Sequence, residues 1–322
     1  MKRKLLCSII LCFAFTKAYS AEVSSFVGDV TGERKGRPLR ITTGVKLETG
    51  DVVRVGGRST AQIRYTDRTV VTLSENTVIT IGNVNIPASN DVTVVSGMVR
   101  AVFTGGNNRV YTPTAIAAIR GTEFTVTVNN GNTVVALDKG NLDVSNPYSQ
   151  VQMNAGDNVR ANVGSGVERP PRGRKQRGST AADGDLNNLA ANFDKYINDF
   201  DKSAQTQNAN IRKSANDSQS ATTPQDASRV SRNMDAMDAS LRDALFLTEG
   251  TNRSLQLILD GIPNKSSREF VEFSRIREKG QTVAALKARN YADLQAVRQQ
   301  HREAVEKIRS RFEEDRARIL GR

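Results

Sequence analysis

A chain of 322 residues with 46 Lys and Arg against 34 Asp and Glu carries a formal charge of +12, and only 5% of it is aromatic, with no tryptophan. That length allows about two domains of ~100–200 residues each, and the 25% of charged residues fits a soluble surface. The charge does not form a nucleic-acid-binding face: Lys2, Arg3, Lys4 and Lys17 supply +4, residues 168–177 another +4, and the remaining +4 is spread over the rest of the chain.

Residues 1–20 read as a secretory signal peptide. Lys2, Arg3 and Lys4 open it, Leu5 to Phe15 is apolar, and Ala18-Tyr19-Ser20 offers small residues before Ala21. The apolar run is about half the ~20 residues that span a bilayer, and no later stretch is long and apolar enough to span one. Ile9-Ile10-Leu11 puts bulky residues where a lipid anchor at Cys12 would need small ones. Cleavage would remove both Cys7 and Cys12. The exported chain is then expected to lack disulfides, cysteine metal sites and cysteine nucleophiles.

Residues 21–165 read as an all-β domain. Apolar residues alternate through Ala61, Ile63 and Tyr65, through Phe124, Val126 and Val128, and through Val159, Ala161 and Val163. Glycine, asparagine and aspartate turns such as Gly50-Asp51, Gly105-Gly106-Asn107-Asn108 and Asn129-Asn130-Gly131-Asn132 break the runs at short spacing. Many short strands at this spacing make a sandwich, a barrel or a stacked solenoid, and periodicity does not choose among them.

Several pieces fall in a fixed order: Gly44-x-x-Leu47-x-x-Gly50-Asp51-x-Val53, Ser59 to Leu73 with Asp67 and Thr69, Asn76-Thr77-x-Ile79, Gly97-x-Val99, Thr112-Pro113 and Arg120-Gly121-Thr122-Glu123-Phe124. Together they resemble the FecR-type periplasmic domain over about residues 25–160. The chain looks like a standalone secreted form rather than the membrane-spanning sigma regulator. The resemblance implies a module of stacked, solenoid-like strands, with a sandwich as the alternative. Such modules are known in siderophore-signalling transducers that report from an outer-membrane receptor to a sigma-factor regulator. Those transducers carry a cytoplasmic segment and one membrane span before the β-domain, so what carries over is a contact surface, not the transmembrane relay. Arg68 departs from the pattern, which commonly has glycine after the aspartate. The corner is therefore expected to be wider than usual or to place Asp67 in the left-handed region.

Most motif residues have a structural reading. Gly44, Gly50, Gly97 and Gly121 suit tight turns or close backbone approach, Asp51, Asp67 and Asn76 suit turns, and Thr69, Thr122 and Phe124 suit strands and core. Arg120 is placed to pair with an acidic side chain such as Glu123 or Asp51, or to bond carbonyls at a strand end, with ligand binding as the alternative.

Residues 166–184 read as a basic proline- and glycine-containing linker. Its Arg169, Arg172, Arg174, Lys175 and Arg177 offer a site for an anionic envelope polymer, against the alternative of a merely solvated hinge. No aromatic residues are interleaved to stack on bases, and secretion also argues against nucleic acid.

Residues 185–322 read as an α-helical domain. Leu189, Phe193, Tyr196, Ile197 and Phe200 share one helix face, and Met234, Met237, Leu241, Leu245, Leu255 and Leu259 another, weakened at Gly250. A polar, low-complexity loop or weak helical extension is expected near 202–230. Pro263 ends the second helix and Ser266 or Ser267 caps a third. Leu294, Val297, His301, Val305, Ile308, Phe312 and Ile319 then form a seam, for a bundle within one chain or for a coiled-coil homo-oligomer through the C-terminal helix. His301, the only histidine, has no companions for a metal site or a catalytic triad.

These readings predict a noncatalytic periplasmic protein-interaction or sensing module without cofactor or metal, meeting an unidentified envelope protein. The alternative is a cell-wall or polysaccharide-binding protein, or a carbohydrate-active enzyme drawing acid and base from Asp51, Asp67, Glu75, Glu123 and Asp138.

Overall fold

The computed structural model describes residues 21–82, 91–104, 108–119, 121–170 and 186–321. The leader read over residues 1–20, Arg120, and Arg172, Arg174, Lys175 and Arg177 of the basic run lie outside the described residues.

Among these residues the chain forms seventeen strands and then three helices. The first nine strands are β1 (Ala21–Val27), β2 (Val30–Arg34), β3 (Arg37–Leu39), β4 (Lys46–Leu47), β5 (Val52–Val55), β6 (Thr60–Tyr65), β7 (Val70–Leu73), β8 (Thr77–Ile81) and β9 (Val92–Val102). The others are β10 (Arg109–Tyr111), β11 (Ile116–Ile119), β12 (Glu123–Asn129), β13 (Asn132–Lys139), β14 (Asn141–Ser145), β15 (Gln150–Asn154), β16 (Asn158–Ala161) and β17 (Val167–Glu168). The alternation explains them. In β12 and β13, Phe124, Val126, Val128, Thr133, Val135 and Leu137 are buried while the residues between them are half-covered.

The strands form two layers joined through β9. One layer runs β4-β1-β6-β7-β9-β12-β13-β16-β17. The other runs β3-β2-β5-β8-β9-β10-β11-β14-β15. Both orders climb almost in step with the chain, so successive hairpins stack along one direction. Residues 92–96 of β9 pair in the second layer and residues 97–102 in the first. The switch falls at Gly97, whose φ of +89° is cheap only for glycine. The layers share one apolar core, including Val23, Ile63, Leu73, Ile79, Val94, Phe124 and Leu142.

The β6–β7 corner differs from both sequence expectations. Arg68 N–H donates to Tyr65 O at 3.1 Å and Tyr65 N–H donates to Thr69 O at 2.9 Å, a tight turn with a bulge. Arg68 itself, not Asp67, is left-handed, at φ +68°. Asp67 instead accepts from Thr69 N–H at 3.0 Å and from Asn108 Nδ2 at 2.8 Å, which fixes the corner from inside.

The helices are α1 (Leu186–Ser220), α2 (Pro224–Gly261) and α3 (Arg268–Ile319). Thr223 Oγ1 accepts from Asp226 N–H at 3.1 Å ahead of α2, with Pro224 in the first turn. Ser267 Oγ accepts from Phe270 N–H at 3.2 Å and caps α3. Asn208 of α1 reaches Asn290 of α3 at 3.0 Å and Ser218 reaches His301 at 2.8 Å, so those helices run the same way. Asp235 of α2 meets Arg298 of α3 at 2.6 Å and Ala227 O meets His301, so that pair is antiparallel. The result is an up-down-up bundle.

The polar stretch read as a loop or weak extension near 202–230 is mostly helical. Helix α1 continues to Ser220 and α2 begins at Pro224. Ala204, Ile211, Ser214 and Ser218 are buried there, and Ile211 joins Val230, Met234, Leu241 and Leu294 in a cluster at that end of the bundle. Packing overrides the weak propensity of the serines and asparagines.

Candidate functional site

Helix α2 is fastened to the strand body by a row of polar contacts. Arg109 and Tyr111, on β10, both reach Asp243: the guanidinium as an ion pair and the phenol by donating to Oδ1 at 3.1 Å. The Tyr111 ring stacks on Phe246 with centroids 3.8 Å apart. Thr251 donates to Pro113 O at 3.0 Å, Arg253 to Thr80 Oγ1 at 2.7 Å and Ser254 to Val95 O at 3.3 Å. From α1, Tyr148 of the strand body donates to Asp199 at 2.6 Å and Lys195 donates to Gly164 O at 2.9 Å. A shared cluster that includes Tyr111, Ile116, Val163, Phe193, Phe246 and Phe273 fills the joint.

Burial dominates the electrostatics of this joint. It lifts the Asp243 carboxyl above its ordinary range, and the Arg109 charge only partly offsets that. Burial, then the Asp243 charge, pushes the Tyr111 phenol well up, so it stays a donor at neutral pH. Burial pulls Arg109 down, but the Asp243 charge and Tyr111 outweigh it.

Beside this joint lies an open cleft of about 780 Å³. One wall is the strand body: Ser74-Glu75-Asn76, residues 95–98 at the β9 switch, and residues 127–131 around the β12–β13 turn. The other is Ser254, Leu257 and Ile258 of α2. Met98 is 44% exposed here. Asn76 and Gly97, two of the ordered motif residues and both at positive φ, line the cleft.

Residues 51–143 match the model of the family described as FecR protein. Residues 51–143 of the strand body are a FecR domain. Two crystal structures of a "putative anti-sigma factor" from Parabacteroides distasonis ATCC 8503 are each 19% identical over 37% of this chain, with a TM-score of 0.33. The match takes in 58% of that protein, so the chain spans little more than half of its length. No curated protein matches the chain.

The strand body distributes the ordered motif residues over corners rather than gathering them at one point. Gly44, Gly50 and Gly121 are left-handed, as is Asn76 at φ +55°. Gly44 N–H donates to Val23 O at 2.8 Å and Gly50 N–H to Ile81 O at 2.6 Å. Thr69, Thr122 and Phe124 are buried, and Phe124 stacks on Phe103 at 5.8 Å. The two carboxylates weighed as partners for Arg120 are held by other cations. Asp51 is gripped by Arg34, while Glu123 pairs with Arg100 and with Lys139 at 3.1 Å. Hydrogen bonding from Lys139, then the nearby charges, draws the Glu123 carboxyl below its usual range despite some burial.

The other carboxylates weighed for acid–base work are also engaged. Glu75 accepts from Arg58 N–H at 2.7 Å, Asp67 closes its own corner, and Asp138 lies 3.9 Å from Arg100. Arg169 of the basic run pairs with Asp157 at 3.4 Å and donates to Gln152 O, which ties it to the strand body. Among the described residues no group of three His, Cys, Asp or Glu could hold a metal. His301 is buried between Ser218, Ser231 and Ala227 O.

The sequence reading missed Arg34, Arg109, Tyr111, Asp243 and Arg253. Asp243 lies 134 residues from Arg109, and no local pattern announces such a partner.

Proposed function

We propose that this protein is a noncatalytic contact or sensing module of the cell envelope, working in the periplasm, with the FecR domain as its partner-facing body. One observation carries the reading. Of the carboxylates with which the domain would do acid–base work, Asp51, Asp67, Glu75 and Glu123 are each hydrogen-bonded to a neighbour in the fold, and Asp138 lies 3.9 Å from the Arg100 guanidinium. A general acid or base needs a carboxyl free to exchange its proton with substrate. The family match is consistent with a regulatory or sensing role. Among the described residues no helix is long and apolar enough to cross a membrane.

The cleft between the β9 switch and α2 is the concave surface best suited to a partner segment, with Met98 as its exposed apolar contact. Formaldehyde crosslinking of intact cells, followed by isolation of the full chain, tests the reading. An envelope protein recovered with the native chain and lost with Met98→Arg and Asn130→Arg supports it. Identical recovery from both forms, or nothing above background, contradicts it.

A further inference from the structure

The last part of α3 runs beyond the bundle. His301 is the final seam residue that is buried, Val305 and Ile308 are half-covered, and every residue from Arg309 to Leu320 is exposed. At 1.5 Å per residue, Arg309–Ile319 alone makes a free rod about 17 Å long. Its apolar residues are large and uncovered: Phe312 is 48% exposed and Ile319 84%.

The spacing of this rod is a heptad seam. With Val305, Phe312 and Ile319 at a, the d positions are His301, Ile308 and Asp315. The flanking e positions are then Arg302, Arg309 and Arg316, and two of the three g positions are Arg311 and Arg318. The glutamates, Glu303, Glu306, Glu313 and Glu314, fall at b, c and f, away from the seam. Contacts such as Arg309 with Glu313 at 3.5 Å and Arg318 with Asp315 at 3.9 Å join exposed groups along one helix, which makes them weak.

That charge order selects the occupant. A second copy would set arginine against arginine in either orientation, since parallel pairing joins g to e and antiparallel pairing joins e to e and g to g. A lipid surface fits poorly too. Within residues 302–319, Val305, Ile308, Phe312 and Ile319 span only about 60° at 100° per residue, narrower than a face that lies on a bilayer, and Asp315 borders them about 20° away. A helix with an apolar seam and glutamate or aspartate at its own e and g positions would complete both features, and a lysine or arginine in its seam would meet Asp315.

We propose that residues 302–319 are a docking helix for an acidic-flanked amphipathic helix of a partner protein. The surface is separate from the cleft of the FecR domain, so the proposal stands whether or not that cleft has a partner.

The test uses the full chain and two synthetic peptides of about four heptads, both with leucine at a and d, one with glutamate and one with lysine at e and g. Fluorescence anisotropy should show the glutamate peptide binding at least about tenfold tighter, with the gap narrowing in high salt. The variant R309E/R311E/R316E/R318E should reverse the preference and keep the native unfolding midpoint, because these residues lie outside the bundle core. Equal binding of the two peptides, or binding of neither, would overturn the proposal. So would stronger retention on phosphatidylglycerol vesicles than on the glutamate peptide, or a dimer in sedimentation that Phe312→Ser abolishes.

Discussion

The Arg34 guanidinium holds both carboxylate oxygens of Asp51, Nε to Oδ1 at 2.9 Å and a terminal nitrogen to Oδ2 at 2.6 Å. Asp51 is 1% exposed and also accepts from Glu48 N–H at 2.8 Å, while Arg34 continues to Glu48 at 3.0 Å and to Lys46 O at 2.9 Å. Asp51→Ala removes the buried acceptor of three hydrogen bonds, two of them charge-assisted, so it should cost about 2–3 kcal/mol. Arg34→Lys keeps the charge but loses the fork and should cost about 1–2 kcal/mol. Urea unfolding of the two variants checks the order. An Arg34→Lys midpoint equal to the native one would mean that charge alone holds the corner.

The left-handed Arg68 predicts a stabilising substitution. A side chain at φ +68° costs about 1 kcal/mol that glycine avoids, so Arg68→Gly should raise stability by about 0.5–1 kcal/mol even though it removes a side chain. A higher thermal midpoint for the variant is the expected result.

Two glycines should respond in opposite directions. A Cβ on Gly97 would lie 2.5 Å from Thr77 Cα and 2.7 Å from Asn76 O, at φ +89°, so Gly97→Ala should cost about 3 kcal/mol or more. A Cβ on Gly250 would lie 3.5 Å from Pro113, an ordinary contact, and alanine is the better helix former by about 1 kcal/mol. Gly250→Ala should therefore be neutral or stabilising, read from denaturant midpoints of both variants.

Lys287 is fully buried in the bundle, its ammonium 5.1 Å from the Phe200 ring centre, with no hydrogen-bond partner. Burial pulls its pKa down to about 8, partly countered by Asp201. The unfolded chain keeps this proton up to about pH 10.4, so between about 8 and 10.4 it binds more protons than the folded chain, and the Lys287 contribution to stability rises with pH. Lys287→Met should stabilise the bundle by about 2 kcal/mol at pH 7, and that advantage should shrink across this window. The native chain measured alone would mislead above about pH 10, because buried Tyr65, Tyr111 and Tyr196, whose ionisation burial opposes, destabilise the fold there.

Strand alternation, the ordered corner residues and a cap at Ser266 or Ser267 were legible because each is written within a few neighbouring residues. The Arg34–Asp51 fork crosses 17 residues, and the fastening of Asp243 to Arg109 and Tyr111 crosses more than 130, so tertiary placement alone creates them. The helix through residues 202–220 was only half legible, as a loop or a weak helical extension, for a related reason. Its serines and asparagines favour no helix locally, and only burial of Ala204, Ile211, Ser214 and Ser218 in the bundle holds them. Arg68 failed in the other direction: sequence pattern located the corner but expected it to be wider or to place Asp67, one position earlier, in the left-handed region.

The account rests on the FecR domain working by contact through the cleft beside α2. A photoreactive phenylalanine analogue placed at Met98, and separately at Arg37 on the β2–β3 hairpin away from the cleft, measures this in living cells. The account predicts one discrete, light-dependent adduct with an envelope protein from position 98 and none from position 37. No adduct at position 98, or the same adducts from both positions, would contradict it.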